Sequence, residues 1–434
     1  MAKQLKSVKW IAPTLLFSVS SIVNASAFQL MEQNVTNLGN AYSGTAALAS
    51  DVTTSFFNPA GLTYIDQKAV AQSFVTVAPD VELTMSSATS NTGTTPEGRF
   101  RDNPASPAVI PALHYGARVT DRLVFGLTIA PPYGTKVDYS TDGAARYVAS
   151  LSEIQVIGIS PSFAYAWNDQ FSFALGGDAD YVKARLNARV GTGLIQNDGY
   201  QKNSADDWGY GWHGGLLYRM NDATRFGLMY RSLVRFEARG VSKTLLSGIA
   251  TQQEITAAVD LPESLTFSAY HDLSSKWAVL ADVAWTRWNR FDVLELEYSG
   301  VHTGTGVRTS NVTEVPMYFK NTVRFALGAN YQLNNKWLLR TGIAKDPTPV
   351  RGQYRTARVP DADRKWIAFG GQYQWSSDLK VDFGYAHLFF RDADVSDYGP
   401  ISANSGLNIT SASMVGKYES QADLFGIQIQ WDFV

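Results

Sequence analysis

Three observations predict an all-β membrane protein, a fourteen-stranded antiparallel outer-membrane β-barrel with a small N-terminal plug domain in its lumen. Long stretches of the 434-residue chain alternate apolar and polar residues with period two. Six short polar turns recur between these stretches, most with an aromatic residue close by. Past the first two dozen residues, no run of about 18 apolar residues offers a transmembrane helix.

The chain opens like an export signal. Lys3, Lys6 and Lys9 give a positive start, and Trp10–Val23 is apolar apart from a few Ser, Thr and Pro. Ala25-Ser26-Ala27 is a small-residue cleavage site. Residues 1–27 are therefore read as a signal peptide and Phe28 as the first mature residue. The signal removes three of the 37 basic residues and none of the 39 acidic ones, leaving a net charge of −5. That balance argues against a nucleic-acid partner. The chain has no cysteine, hence no disulfide framework and no thiolate metal site. An exported chain rich in Tyr and Gly is either a soluble β-protein or an outer-membrane barrel.

The alternation decides for the barrel. In Thr322–Leu333 the odd positions are Val323, Phe325, Leu327, Ala329, Tyr331 and Leu333, set against Arg324, Asn330 and Gln332. Phe226–Arg239 has apolar even positions, with Arg231, Arg235, Glu237 and Arg239 between them. The last strand runs Phe425, Ile427, Ile429, Trp431, Phe433 against Gln428, Gln430 and Asp432. A soluble sandwich also alternates, but it has no need of aromatics beside each tight turn. The turns are centred on Asp121, Asp169, Asp222, Ser275, Asn335 and Ser377, with Trp167, Phe171, Tyr218, Phe226, Trp277, Tyr331, Trp337 and Trp375 nearby. Such a ring fits a periplasmic aromatic girdle. Six turns separate seven up-down strand pairs, which gives fourteen strands over residues 67–434. Loops are expected near 80–108, 190–207, 240–260, 298–316, 345–362 and 391–420, facing outward. The terminal Val434 breaks the series one residue after Phe433.

Residues 28–66 fall outside the strand rhythm and are read as the plug. Asn58 is a good helix N-cap and Pro59 fits the first helical position, followed by Ala60 and then Gly61. A single capped turn suffices inside a barrel, with Phe56 and Phe57 as anchors. A disordered tail is the alternative; low charge and apolar content oppose it.

Several segments resemble the FadL/TodX family of outer-membrane transporters of long-chain fatty acids and other hydrophobic compounds. They are F-Q-L at Phe28–Leu30, L-G-N-A-Y-S-G at Leu38–Gly44 and N-P-A at Asn58–Ala60. Further on stand Y-R-S at Tyr230–Ser232, L-P-E at Leu261–Glu263, R-T-G-I-A at Arg340–Ala344 and P-D-A-D-R at Pro360–Arg364. The order of these segments spans nearly the whole mature chain. The resemblance implies passive uptake: capture at outer loops, binding in a barrel pocket, and lateral release through the wall.

Pro131-Pro132-Tyr133-Gly134 follows a strand-like run. Proline cannot donate to a sheet ladder, so the pair either breaks the wall or ends the strand at the rim. In the resemblance this is the inward kink of the third strand that opens the wall at Tyr133 and Gly134. Lys320 shares parity with Arg324 and is expected to face the lumen; it resembles a family lysine near the carboxylate end of the ligand. Lys183 and Arg185 lie in a region resembling a family cationic site, although apolar parity switches between Tyr181 and Val182. The bland reading of all three is a lumen charge network. Phe28, as the mature start, is expected to reach the ligand or else to fray.

No catalytic, metal or cofactor pattern is present: the five histidines are scattered, and neither HExxH nor GxSxG occurs. The expected protein is not an enzyme and needs no cofactor. Its expected partners are a long-chain fatty acid or other hydrophobic ligand, outer-membrane lipid and lipopolysaccharide, and the barrel assembly machinery. An aromatic-hydrocarbon channel of the same family, a surface adhesin and a general porin are the competing functions.

Overall fold

A computed structural model describes residues 27–191, 194–246, 248–302, 308–399, 401–402 and 412–433. The signal segment up to Ser26, and Val434, lie outside the described residues. Fourteen antiparallel barrel strands follow one another round the ring. The first is Lys68–Thr89, the second Ala108–Arg118, and the third Leu123–Ala130 continuing as Gly134–Asp138. The fourth to sixth are Leu151–Ala166, Phe171–Val190 and Gly199–Arg219. The seventh to tenth each come in two pieces: Thr224–Arg231 with Val234–Leu246, Ile249–Leu261 with Ser264–Asp272, Trp277–Thr286 with Val293–His302, and Arg308–Pro316 with Thr322–Gln332. The rest are Trp337–Asp346, Arg364–Gln374, Leu379–Phe390 with Ala393–Asp397, and Ser413–Phe433. First and last strands pair from Lys68↔Phe433 to Thr89↔Ser413, which closes the sheet and leaves no edge to aggregate.

The six predicted turns link the strands at one end. Aromatic pairs meet across neighbouring strands beside them: Phe171–Tyr218 at 4.6 Å, Trp277–Tyr331 at 4.6 Å and Trp337–Tyr373 at 4.8 Å between ring centroids. Outward residues such as Phe325, Leu327, Ile427 and Trp431 are exposed for lipid, while Arg324, Asn330, Gln428 and Gln430 are buried inside. The alternation in the tenth and last strands thus reads as expected.

The other end differs from expectation in two ways. Segments read as loops, including 80–89, 199–207, 249–260 and 308–316, continue as hydrogen-bonded strands. Their Ser, Thr and Asn content reflects water on the outer face rather than a lack of strand. A seventh outer connection, residues 139–150, was not among the expected loops; it carries a short 3-10 turn, Ala144–Tyr147.

The second difference concerns Phe226–Arg239, which does not present one apolar face. Up to Arg231 the outward residues are Phe226, Leu228 and Tyr230. Past Ser232-Leu233 the apolar Val234, Phe236 and Ala238 are buried inside, and Arg235 and Glu237 are exposed. Two unpaired residues shift the register, and a one-residue slip exchanges the faces. The eighth strand switches likewise across Pro262-Glu263, and the tenth across Met317–Asn321. The interruptions align in height, since Arg231, Ser264, Thr286 and Thr322 are register partners.

Residues 27–62 lie within the ring of strands and are mostly buried, and residues 63–67 lead out to the first strand. Together they contain a 3-10 turn at Leu38–Asn40, one helical turn at Thr54–Phe57 and a 3-10 turn at Pro59–Tyr64. Wall glycines make room for them. A Cβ at Gly227 would fall on the Ala46 carbonyl, and one at Gly215 would fall on the Asn58 side chain.

Candidate functional site

Asn58 joins the N-terminal segment to itself and to the wall. Its backbone is extended, closing the turn Thr54–Phe57 through Asn58 N–H to the Thr54 carbonyl at 2.8 Å. Its side-chain oxygen accepts from Ala60 N at 3.1 Å and caps the turn that Pro59 begins. Its amide donates to the carbonyls of Ala46 at 2.7 Å and of Leu216, on the sixth strand, at 2.9 Å. Asn58, Pro59 and Ala60 are all buried, as is Phe57. Phe57 packs near Tyr42, and Phe56 lies under the Arg231 guanidinium. The expected cap is present, with an extra helical turn ahead of it.

The third strand leaves the wall where the prolines stand. Pairing with the second strand ends at Leu113↔Ile129. The second strand itself continues against the first up to Ala108↔Val77. Beyond Ala130 the third strand keeps its fourth-strand neighbour, resuming at Gly134↔Gln155. On its other side it takes the N-terminal segment instead. Gly134 N donates to the Phe28 carbonyl at 2.7 Å, Leu30 N to the Pro132 carbonyl at 2.9 Å, and Gln33 Nε2 to the Pro131 carbonyl at 2.7 Å. The prolines have no N–H to offer a strand, but their carbonyls are used. Of the two sequence alternatives, the prolines break the wall rather than end the strand.

Phe28 sits at this junction, fully buried rather than frayed. Its ring packs edge-on to Trp288 at 4.9 Å and to Phe291 at 5.2 Å, with Tyr133 at 6.0 Å. Phe319 joins at 5.2 Å from Phe291. Tyr133 Oη donates to the Pro262 carbonyl at 3.2 Å, spanning from the third-strand break to the eighth-strand break. Glu263 holds the next break, accepting Arg287 Nη1 at 2.9 Å. Above the cluster, Val234, Phe236, Ile255, Val259, Leu294 and Leu296 turn an apolar inner face to it. The aromatics Tyr133, Trp288, Phe291 and Phe319 all stand in strand interruptions, where side chains can leave the pleat. Sequence reading missed Trp288, Phe291 and Phe319; the signal was present in T-R-W-N-R-F, where alternation fails between two clean runs.

The cationic residues fare differently. The fifth strand runs unbroken through Tyr181-Val182, so Val182, Ala184 and Leu186 face the core. Lys183 and Arg185 point to the opposite, exposed side, and Arg185 pairs with Glu153 on the fourth strand. They do not enter the pocket. The apolar switch at Tyr181 marks the strand leaving the membrane, not a bulge. Lys320 is exposed beside buried Phe319, in the interruption Met317–Asn321. Parity with Arg324 does not carry across that break. Its backbone N–H donates to the Pro349 carbonyl at 2.9 Å, and its ammonium joins no ion pair among the described residues.

Two further charged groups adjoin the cluster from the connection 347–363. The Asp361 carboxylate accepts Ala27 N at 3.0 Å and Thr348 Oγ1 and pairs with Arg364. Burial raises its pKa, with Arg364 opposing. Arg358 is buried and donates to Ser152 Oγ at 2.9 Å and the Val148 carbonyl at 3.1 Å, which ties this connection to residues 139–150.

A closed fourteen-stranded barrel with a lipid-facing apolar band and a filled lumen is an integral outer-membrane protein. More narrowly, the chain belongs to the family of outer membrane transport proteins described as OMPP1/FadL/TodX, whose profile matches residues 16–433. It is 28% identical over 459 residues to the long-chain fatty acid transport protein of Escherichia coli K12, covering 96% of each chain. It is 28% identical over 468 residues to outer membrane protein P1 of Haemophilus influenzae, covering 97% of this chain and 98% of that one. In fold it resembles a Pseudomonas aeruginosa FadL homologue with TM-score 0.82 at 19% identity, covering 94% of this chain and 100% of that one. The Ralstonia pickettii toluene transporter TbuX matches with TM-score 0.66 at 17% identity, covering 92% and 98%.

Proposed function

We propose that the protein takes up long-chain fatty acids, or hydrophobic compounds of similar shape, passively across the outer membrane. The observation that carries this reading is the junction of the broken third strand with Phe28 and the buried aromatic cluster. An apolar interior at membrane height, beside an unpaired stretch of wall, suits a ligand that passes from the lumen into the bilayer. In this reading residues 28–66 are a plug that closes the pore, and Asn58 keeps its shape. Cargo enters from the outer loops, occupies the region around Phe28 and Trp288, and leaves sideways past Pro131–Gly134. Lys320 stands on the exposed side of the break beside Phe319, so it is assigned to the carboxylate at the edge of the cluster rather than within the lumen. A neutral hydrocarbon would have no use for it. No step needs an enzyme activity or a nucleotide, and the barrel reaches the membrane through the assembly machinery.

The release step is tested by closing the wall. Ile110→Cys and Pro132→Cys would face each other if the register Leu113↔Ile129 continued. The disulfide should abolish fatty-acid uptake and reduction should restore it; undiminished uptake through the oxidised barrel would sink lateral release. The cargo is tested by mass spectrometry of ligand copurified with wild type and Lys320→Ala. Fatty acid lost from the variant supports the carboxylate contact, whereas equal retention removes Lys320 from the site.

A further inference from the structure

The outer wall carries a feature that transport does not use. Across the tenth to thirteenth strands, Phe325, Lys345, Lys365 and Phe389 form one outward row, each the register partner of the next. One step nearer the periplasm, Leu327, Ile343 and Ile367 form a second row. Together these residues line a groove of ≈ 440 Å³ on the lipid face. The two lysines are exposed and directly opposite each other, an arrangement that like charges disfavour without a shared counter-ion. Neither joins an ion pair among the described residues. The acids on this face are engaged elsewhere: Asp363 Oδ1 accepts Thr348 N at 2.9 Å, and Asp423 Oδ1 holds His387 and Tyr385, each at 2.8 Å.

Height decides what meets them. Lys345 lies eight residues above Trp337 in the periplasmic girdle. At a rise of about 3.3 Å and a tilt of about 40°, that is about 20 Å up a band about 25 Å tall. The same estimate from Trp375 to Lys365 gives about 25 Å. The ammoniums therefore stand at the outer-leaflet head groups, with the apolar groove descending beneath them.

We propose that Lys345 and Lys365, with the groove below, bind one phosphorylated, acylated glycolipid of the outer leaflet, a lipid A-type molecule. Its phosphate bridges the two ammoniums and an acyl chain lies along Leu327, Ile343 and Ile367 between the two phenylalanines. A phosphate offers several acceptor oxygens to two point charges, which relieves the repulsion of the lysine pair. The site is separate from the cargo pathway, since its two lysines, two phenylalanines, Leu327, Ile343 and Ile367 all face away from the lumen.

The test uses the full barrel, stripped of lipid in detergent and examined by native mass spectrometry. The probes are bisphosphorylated lipid A, its dephosphorylated form and phosphatidylglycerol. Lipid A should be retained as a one-to-one complex, and Lys345→Gln with Lys365→Gln should weaken retention about tenfold. Lys345→Arg with Lys365→Arg should keep most of it, and heat-dependent gel migration reports that each variant has folded. Equal retention of the dephosphorylated lipid, or no loss in the glutamine variant, would mean ordinary annular lipid only and overturn the site. Phosphatidylglycerol held as tightly as lipid A would overturn the assignment to the glycolipid.

Discussion

The periplasmic half of the barrel and its outer half are made by the same strands, yet their interiors are opposites. Below the interruptions, the inner face is small or polar and binds the N-terminal segment: Ser268 Oγ accepts Ala46 N at 2.9 Å, Asp282 accepts Thr45 N at 3.0 Å, Arg324 donates to the Ala41 carbonyl at 2.6 Å and Gln428 Nε2 to Thr36 Oγ1 at 2.9 Å. Above them, the strands turn Val234, Phe236, Ile255 and Leu294 inward and Arg235 and Glu237 outward, while the buried charges Arg358 and Asp361 come from the connection 347–363. The lower half must hold a segment of backbone whose amides need partners. The upper half meets the start of that segment, through Asp361 at Ala27 N and Gly134 N at the Phe28 carbonyl, and its apolar strand faces suit an apolar guest. The exchange is achieved by interruptions of two to six residues that reset which parity faces in.

If the lower half is a tightly keyed seat, crowding it should have the largest effect. Gly227→Val places side-chain atoms where the Ala46 carbonyl lies, and backbone cannot step aside. The expected cost is about 3 kcal/mol, the upper end of overpacking. In liposomes the variant should leak small solutes, and its unfolding midpoint in urea should fall. A variant as tight and stable as wild type would mean the segment is not seated against this strand.

Asn58→Ala probes the same seat by removing bonds instead of space. The Ala46 and Leu216 carbonyls and the Ala60 N–H lose their partner in a buried site. A loss of about 2–3 kcal/mol is expected, smaller than the glycine change because water can enter the hole. Leakage and instability should rise together. Lost uptake from a barrel that stays tight would instead show that Asn58 couples cargo to movement of the segment.

The upper half should answer differently. Phe28→Leu keeps an apolar residue at the junction but gives up the edge-on contacts to Trp288 and Phe291. The cost in stability should be about 1 kcal/mol. Ligand affinity should change while solute leakage does not, which separates pocket from seat. A leak without an affinity change would place Phe28 in the seat.

How far these halves could be read from the chain follows the same division. Where one face meets lipid and the other meets protein, polarity and parity agree, and Thr322–Leu333 and Phe425–Phe433 were legible residue by residue. The cap at Asn58-Pro59 was legible because it rests on local backbone chemistry, which also marked the proline pair as an interruption without deciding between a broken wall and a strand end. Period two, however, says that two faces exist, not which one is inside. Val234 and Phe236 continue the parity of Phe226 and Leu228 across a break and end on the other side. Lys320 was misplaced by the same mechanism. The aromatic cluster was illegible because its members come from interruptions distant in sequence, brought together only by closure of the ring.

Lys183 and Arg185 failed for the complementary reason, and they give the smallest prediction. Their strand has no break; only its surroundings change, from lipid beside Phe173 and Leu175 to water beside Lys183. Lys183 in that setting is a solvated surface group, and Arg185 is half-exposed, but its partner Glu153 is buried and needs a donor beside it. Lys183→Ala with Arg185→Gln, which removes both cations but keeps a donor beside buried Glu153, should therefore leave fatty-acid affinity and leakage at wild-type values and lower stability by less than about 1 kcal/mol. Isothermal titration with a fatty acid of fixed chain length checks this directly. A clear loss of affinity would require the fifth strand to turn these side chains inward when cargo binds, so the outer half would have to re-register one whole strand that the apolar contacts of Val182, Ala184 and Leu186 now hold in place.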